Sequence, residues 1–205
     1  SVERFRGDEA IKRGWKFDPP ASRTGKRVLV VGAGPSGLSA AYHLARMGHE
    51  VEIHEAGPLA GGMMRFGIPK YRLPREVIDA EVRRILDLGV VLKLDTKVSN
   101  IADSMKAGGF DAAFLAVGAH IGKRAFIPAG DATKIVDAVS VLRSMEGEDK
   151  PMLGRRVVVY GGGNTAIDVA RTAKRLGAAE ALIVYRRTRE KMPAHDFEVE
   201  EALQE

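Results

Sequence analysis

The chain has 205 residues, 45% of them apolar, enough to bury a sizeable core in one large or two small domains. It contains no cysteine, which excludes a disulfide framework, a thiolate-held zinc or iron–sulfur site and a redox-active cysteine pair within these residues. Its net charge of +5 is scattered among acids without an aromatic-basic motif, and no apolar run approaches the roughly 18 residues of a membrane span, so neither nucleic acid nor membrane is an expected partner.

The N-terminal stretch SVERFRGDEA lacks a signal-peptide core, which makes a cytoplasmic location the expectation. Residues 1–14 predict a short helix with Val2, Phe5 and Ile11 on one side, and Trp15 and a Pro19-Pro20 linker follow within residues 1–25. An apolar run, Val28 to Val31, then enters a turn carrying Gly32, Gly34 and Gly37. From Pro35 to Met47, Leu38, Ala41, Leu44 and Ala45 recur at helical spacing, and Gly48 ends the helix. Val51 and Ile53 alternate with polar residues as a second strand would, and Glu55 stands at its end.

Strand, glycine turn, helix, strand and acid together form the fingerprint of a dinucleotide cradle. The first glycine permits the sharp turn, the second lets backbone approach a pyrophosphate, and the third lets helix and strand pack closely. Phosphate oxygens would face unpaired N–H groups at the positive end of the helix. Gly32, Ala33, Gly34, Pro35, Ser36 and Gly37 are therefore candidate cofactor contacts. Glu55 can accept hydrogen bonds from both ribose hydroxyls, and its charge repels a 2′-phosphate, so FAD or NAD is expected here in preference to NADP.

The segment Ala56 to Pro74 is too long for a mere connector. Gly61 and Gly62 allow close backbone approach, while Met63, Met64 and Phe66 are large enough either to cover a flat ring or to fill core. Pro74 suits the first turn of a helix running through Val77, Ile78, Val82, Ile85 and Leu86. Val90–Leu92 and Lys97–Val98 predict short strands, 101–107 a helix, and 112–117 a buried strand leading to Gly118, a further point where backbone can approach a ligand. Residues 119–151 read as a hinge, with a helix expected over 138–145.

The pattern then repeats 129 residues on, with Gly161, Gly163 and Ala166 in the three fingerprint positions, a helix with Ile167, Ala170 and Ala173, and a strand over 181–185. The acid is replaced. Arg186 and Arg187 occupy the strand end, with Arg189 and Lys191 beyond. Guanidinium groups grip a phosphate with paired hydrogen bonds, so the second ligand is expected to be NADP(H). A resident flavin and an exchangeable nicotinamide need placement and shielding to pass a hydride, so no catalytic acid or nucleophile is nominated. The five histidines, at 43, 49, 54, 120 and 195, show no metal spacing.

At VGAGPSGLSAA with Glu55, GGMMRFGIPKYRLP, AVGAH, GGGNTAIDVARTAKRLGA and VYRRTREKMPA, the chain resembles the glutamate synthase small-subunit family, which includes the flavin and NADPH portion of dihydropyrimidine dehydrogenase and NADPH:ferredoxin-type subunits. The resemblance implies that the segment Glu55, Ala56, Gly57 to Gly62 and Met63, with Arg72 and Val98, contacts FAD, and that Gly162, Gly163, Asn164 and Thr165, with Arg186 and Arg187, hold NADPH. It implies an α/β fold of two Rossmann-like units: an incomplete FAD domain over 26–150 and the beginning of an NADPH domain over 151–205. The chain would then be a fragment of a longer polypeptide, with iron–sulfur clusters lying outside it. The implied activity is hydride transfer from NADPH to FAD, then electron transfer to an iron–sulfur domain or subunit, ferredoxin-like or part of a larger oxidoreductase. A flavin monooxygenase-like enzyme and a non-catalytic nucleotide-binding assembly module are the alternatives.

Overall fold

A computed structural model describes residues 2–119, 134–147 and 149–205, and the described chain divides into two compact units. One comprises the residues up to Arg65 with Leu73–Gly118, the other Phe66–Arg72 with the described residues from Ala119 to Glu205. Both are α/β, as the alternation of apolar runs and helical periodicity requires. Most of the expected hinge, with His120 of AVGAH, lies outside the described residues.

In the first unit, strands β1 (Arg27–Val31), β2 (Glu50–His54), β3 (Val91–Lys93) and β4 (Ala112–Leu115) form a wholly parallel sheet in the order β3-β2-β1-β4. The Val-rich β1 lies second from the edge with Leu29 and Val30 fully buried, which its unbroken apolar run demands of a strand covered on both faces. Helix α2 (Pro35–Arg46) packs Leu38, Ala41 and Ala45 against Val30, Val51 and Ile53, and α4 (Arg75–Leu86) adds Ile78 and Val82 to that core. Helix α5 (Ile101–Gly108) covers the other face, where Leu29, Val31 and Phe110 gather with Val98 and Met105.

Several local expectations change. Lys97 and Val98 lie in no strand, because the chain after β3 turns at Asp95, which adopts a left-handed φ of +50°. Strand β4 is not buried: it ends the sheet, and Phe114 and Leu115 are exposed. The long loop contains a one-turn helix, α3 (Met63–Phe66), and Pro74 stands just before α4, at its N-cap. In α1 (Val2–Lys12), Ala10 is the buried residue, whereas Val2 and Phe5 are exposed.

In the second unit, β5 (Arg156–Tyr160) and β6 (Glu180–Val184) pair in parallel around α7 (Asn164–Arg175). Helix α6 (Ala138–Ser144) contributes Leu142 to a cluster with Val159, Ala166, Val169 and Ala170. Helix α8 (Asp196–Gln204) packs Val199 on Ile167 and Ala194. Among the described residues no helix is long and apolar enough to cross a membrane, and no cluster of histidine or acidic side chains could hold a metal.

Candidate functional site

Each glycine turn joins the end of a strand to the start of a helix, and in the first unit the fit around that junction is tight. Gly32 has φ +105°, and its amide donates to the His54 carbonyl at 2.8 Å, tying the turn to the end of β2. A Cβ at Gly32 would meet the Ala116 carbonyl oxygen at 2.4 Å, and one at Gly37 would lie 1.9 Å from the Gly32 oxygen. Only hydrogen fits at those two positions. Ala33 is fully buried, whereas Pro35 and Ser36 are exposed at the opening of α2. Gly34 caps α2 without any side-chain bond to its first turn, so those amides keep their donor capacity for an anion.

Glu55 follows β2 directly. One carboxylate oxygen accepts the Ala33 amide at 2.7 Å, the other the Gly57 amide at 2.9 Å. The side chain is thereby fixed between the glycine turn and the start of the 56–62 loop, and each oxygen retains a lone pair for a ribose hydroxyl. That loop returns to the turn. The Gly61 amide donates to the Ala33 carbonyl at 2.8 Å, and Gly62, at φ +50°, comes so close to Gly34 that a Cβ would lie 2.7 Å from its Cα. Met63 follows, partly exposed at the start of α3.

The loop after β3 closes on the same place, since Thr96 donates its amide to the Glu55 carbonyl at 2.8 Å and Asp95 to that of Gly57 at 3.0 Å. Val98 points into the cluster of Leu29, Val31 and Phe110, which leaves its backbone for contact with a ligand. Gly118 follows β4 on the stretch that abuts Gly32. Gly32 to Gly37, Glu55 to Gly57, Gly62 and Met63 therefore surround one cradle in the first unit.

In the second unit the turn at 161–164 is tied to β6 by the Gly161 amide, which donates to the Val184 carbonyl at 3.0 Å. Here Ala166 is accommodated, its Cβ lying 3.5 Å from where a Cβ on Gly161 would be. Gly163 caps α7, again without a side-chain bond, leaving the Thr165 end of the turn open to an anion. The tyrosine ring of Tyr185 covers Gly162, where a Cβ would lie 2.6 Å away. Beyond it, Arg186, Arg187 and Arg189 are exposed, and none forms an ion pair among the described residues. They stand on a loop whose end returns to the turn through Ala194, donating its amide to the Gly162 carbonyl at 3.0 Å.

Arg72 belongs to this unit. Its guanidinium donates to both oxygens of Asp168 on α7, at 3.0 and 2.8 Å, and to Glu198 on α8. The carboxylates are almost wholly buried, and one oxygen of Glu198 has no further partner. Burial raises the Asp168 pKa above the usual carboxylate range, with the Arg72 contact opposing that shift. Beside it, burial and the Asp168 charge push the Tyr71 hydroxyl up to about 12, and the Tyr71 ring lies under Arg171 and Arg175. Both arginines grip Glu205 and hold its pKa down at about 2. Sequence reading gave Asp168, Glu198 and Tyr71 no role. A mid-helix acid reads as solvated until its cation, 96 residues away, is located.

Solved structures share this fold. The FprA oxidoreductase of Mycobacterium tuberculosis superposes with a TM-score of 0.73 at 22% identity, over 88% of this chain and 48% of that one. Thioredoxin reductase of Lactococcus lactis gives 0.60 at 20% identity, over 88% and 62%. In sequence, the chain is 44% identical over 186 residues to the NADP(+)-dependent formate dehydrogenase subunit beta of Moorella thermoacetica, covering 89% of this chain and 26% of that protein. It is 40% identical to the NADPH-Fe(3+) oxidoreductase subunit beta of Geobacter sulfurreducens, over 91% and 29%. To the glutamate synthase [NADPH] small chain of Escherichia coli it is 35% identical, over 100% and 46%. The chain thus spans less than half the length of each of these three relatives, and the expected likeness to glutamate synthase small subunits is found among them. The model of one family, pyridine nucleotide-disulphide oxidoreductase, matches residues 26–205, and the chain belongs to that family.

Proposed function

We propose that this chain is the nucleotide-binding part of a cytoplasmic flavoprotein reductase that takes hydride from NADPH onto FAD and passes electrons to iron–sulfur centres of an adjoining domain or partner subunit. The observation that carries the reading is the opposite charge at two otherwise matching turns: a carboxylate anchored by the amides of Ala33 and Gly57 in one, and unpaired Arg186 and Arg187 in the other. The names of the relatives, all NADP-linked oxidoreductase subunits or chains, point the same way. Residues 1–25 then lead from an iron–sulfur domain, 26–150 hold the flavin cradle and 151–205 open the NADPH cradle.

The first cradle fits FAD, because Gly62 is held so close to Gly34 that it has no room for a Cβ, which leaves bare backbone to face a pyrophosphate. Glu55 would hold the adenosine ribose, the turn at 32–37 the pyrophosphate, and Met63, Val98 and Gly118 further atoms of the same ligand. When bound, the flavin supplies a two-electron acceptor that can release electrons singly. In the second cradle, Gly162, Gly163 and Thr165 would face the NADPH pyrophosphate, and Arg186 and Arg187 the 2′-phosphate. The chain's own residues bind, orient and exclude water.

The decisive experiment is stopped-flow mixing of the full-length holoenzyme with each coenzyme. Flavin absorbance is expected to bleach rapidly with NADPH and much more slowly with NADH. Equal rates reject the assignment of the second cradle.

A further inference from the structure

The loop that carries the arginines is closed at both ends on the turn it serves. It leaves β6 at Val184, whose carbonyl accepts the Gly161 amide. It is braced internally by the Tyr185 hydroxyl, which donates to the Lys191 carbonyl at 3.0 Å, and by a 3-10 turn over Arg189–Lys191. At its far end the backbone of Ala194 meets Gly162, and the His195 amide donates to the side-chain oxygen of Asn164 at 3.1 Å. His195 is the N-cap of α8, and Asn164 is the first residue of α7. The side-chain oxygen of Asn164 is thus engaged by the loop, while its backbone amide stays at the helix start.

We infer that Asn164 is a positioning residue for coenzyme choice: through His195 it fixes the Arg186–Arg187 loop against the glycine turn, so that the guanidiniums stand where a 2′-phosphate would lie. This rests on the NADPH reading above. Among the described residues the tether is the one side-chain hydrogen bond between the turn and the loop's far end. The remaining closures are backbone bonds and the packing of Ala194 and Val199 on Ile167. Removing it should leave the unit folded and its turn intact while the arginines lose register. Only a phosphorylated coenzyme would register that loss.

The test uses the full-length holoenzyme with Asn164→Ala and Asn164→Asp, read by steady-state kinetics with both coenzymes and by amide hydrogen exchange without coenzyme. The alanine variant should raise KM for NADPH about threefold to tenfold more than KM for NADH, as loss of one hydrogen bond allows. Exchange across 186–195 should quicken. Aspartate keeps an acceptor for the His195 amide. Its charge opposes the pyrophosphate of either coenzyme alike, so the NADPH-to-NADH preference should return to the wild-type ratio even if both KM values rise. An alanine variant with unchanged preference, or with equal losses for both coenzymes, overturns the inference, as does unaltered exchange over 186–195. A wild-type enzyme that does not prefer NADPH defeats the parent reading instead, and the exchange arm then still decides whether the tether holds the loop.

Discussion

The two glycine turns share spacing and secondary structure but hold their charged groups in different ways. At the first, the carboxylate of Glu55 is clamped by two backbone amides, and the loops at 56–62 and 94–96 are bonded around it. At the second, Arg186 and Arg187 project from an exposed loop with no counter-charge among the described residues. A clamped acceptor is oriented before its ligand arrives, which favours a tightly retained molecule, whereas guanidiniums on a surface loop suit one that comes and goes. The helices differ as well. Helix α2 is fastened by an apolar stripe, while α7 is buried on nearly every side and neutralises its buried Asp168 and Arg171 through ion pairs.

The third fingerprint position offers the strongest means of breaking this comparison. Gly37→Ala places a methyl 1.9 Å from a backbone oxygen and should cost at least about 3 kcal/mol, with loss of flavin from the purified holoenzyme. At the equivalent position, Ala166→Gly should cost only about 1 kcal/mol, a helix-propensity effect read by denaturant titration. Comparable losses from both would show that the turns are equally tight.

Next comes the charge contrast itself. Replacing Arg186 and Arg187 together by serine should raise KM for NADPH on the order of 100-fold while leaving NADH within about twofold, since paired guanidinium contacts to phosphate are lost and nothing else changes. Glu55→Gln should weaken flavin retention by about tenfold or more, because one of the two amides then faces an NH2 donor in place of an acceptor and the other keeps only a neutral one. Flavin content after dialysis measures it, and unchanged content would mean that the carboxylate is not a ligand contact.

The smallest effect concerns how α7 is fastened. The pKa of Glu205 is depressed to about 2 by Arg171 and Arg175, so the stability it confers is complete above its unfolded value near 4.5 and is lost as pH falls toward about 2. Acid unfolding followed by circular dichroism should show that loss, and Glu205→Gln should lower stability at pH 7 and flatten the curve between those limits.

Much of this was legible in the sequence because it is local. Glycine spacing, apolar runs and the residue at the strand end are fixed within some thirty positions, so both turns, their helices and Glu55 were placed correctly from the chain alone. What escaped depends on distant partners. Arg65, to which the sequence alone assigns no role, is buried, with a bond to the Ala60 carbonyl and an ion pair with Asp79. Phe114 and Leu115 read as core, yet their strand ends the sheet. Asn164 matched a ligand-binding motif, but the direction of its side chain depends on where residue 195 returns, 31 positions later.

The bare guanidiniums of Arg186 and Arg187 carry one more consequence. Dissolved ions gather around unneutralised surface charge, and at physiological strength they damp its field over roughly 8 Å. A coenzyme bearing an extra phosphate must displace those ions to dock, whereas its unphosphorylated counterpart need not. On the proposed reading, selectivity is tied to ionic strength: sharpest in dilute buffer, and progressively blunted as salt rises.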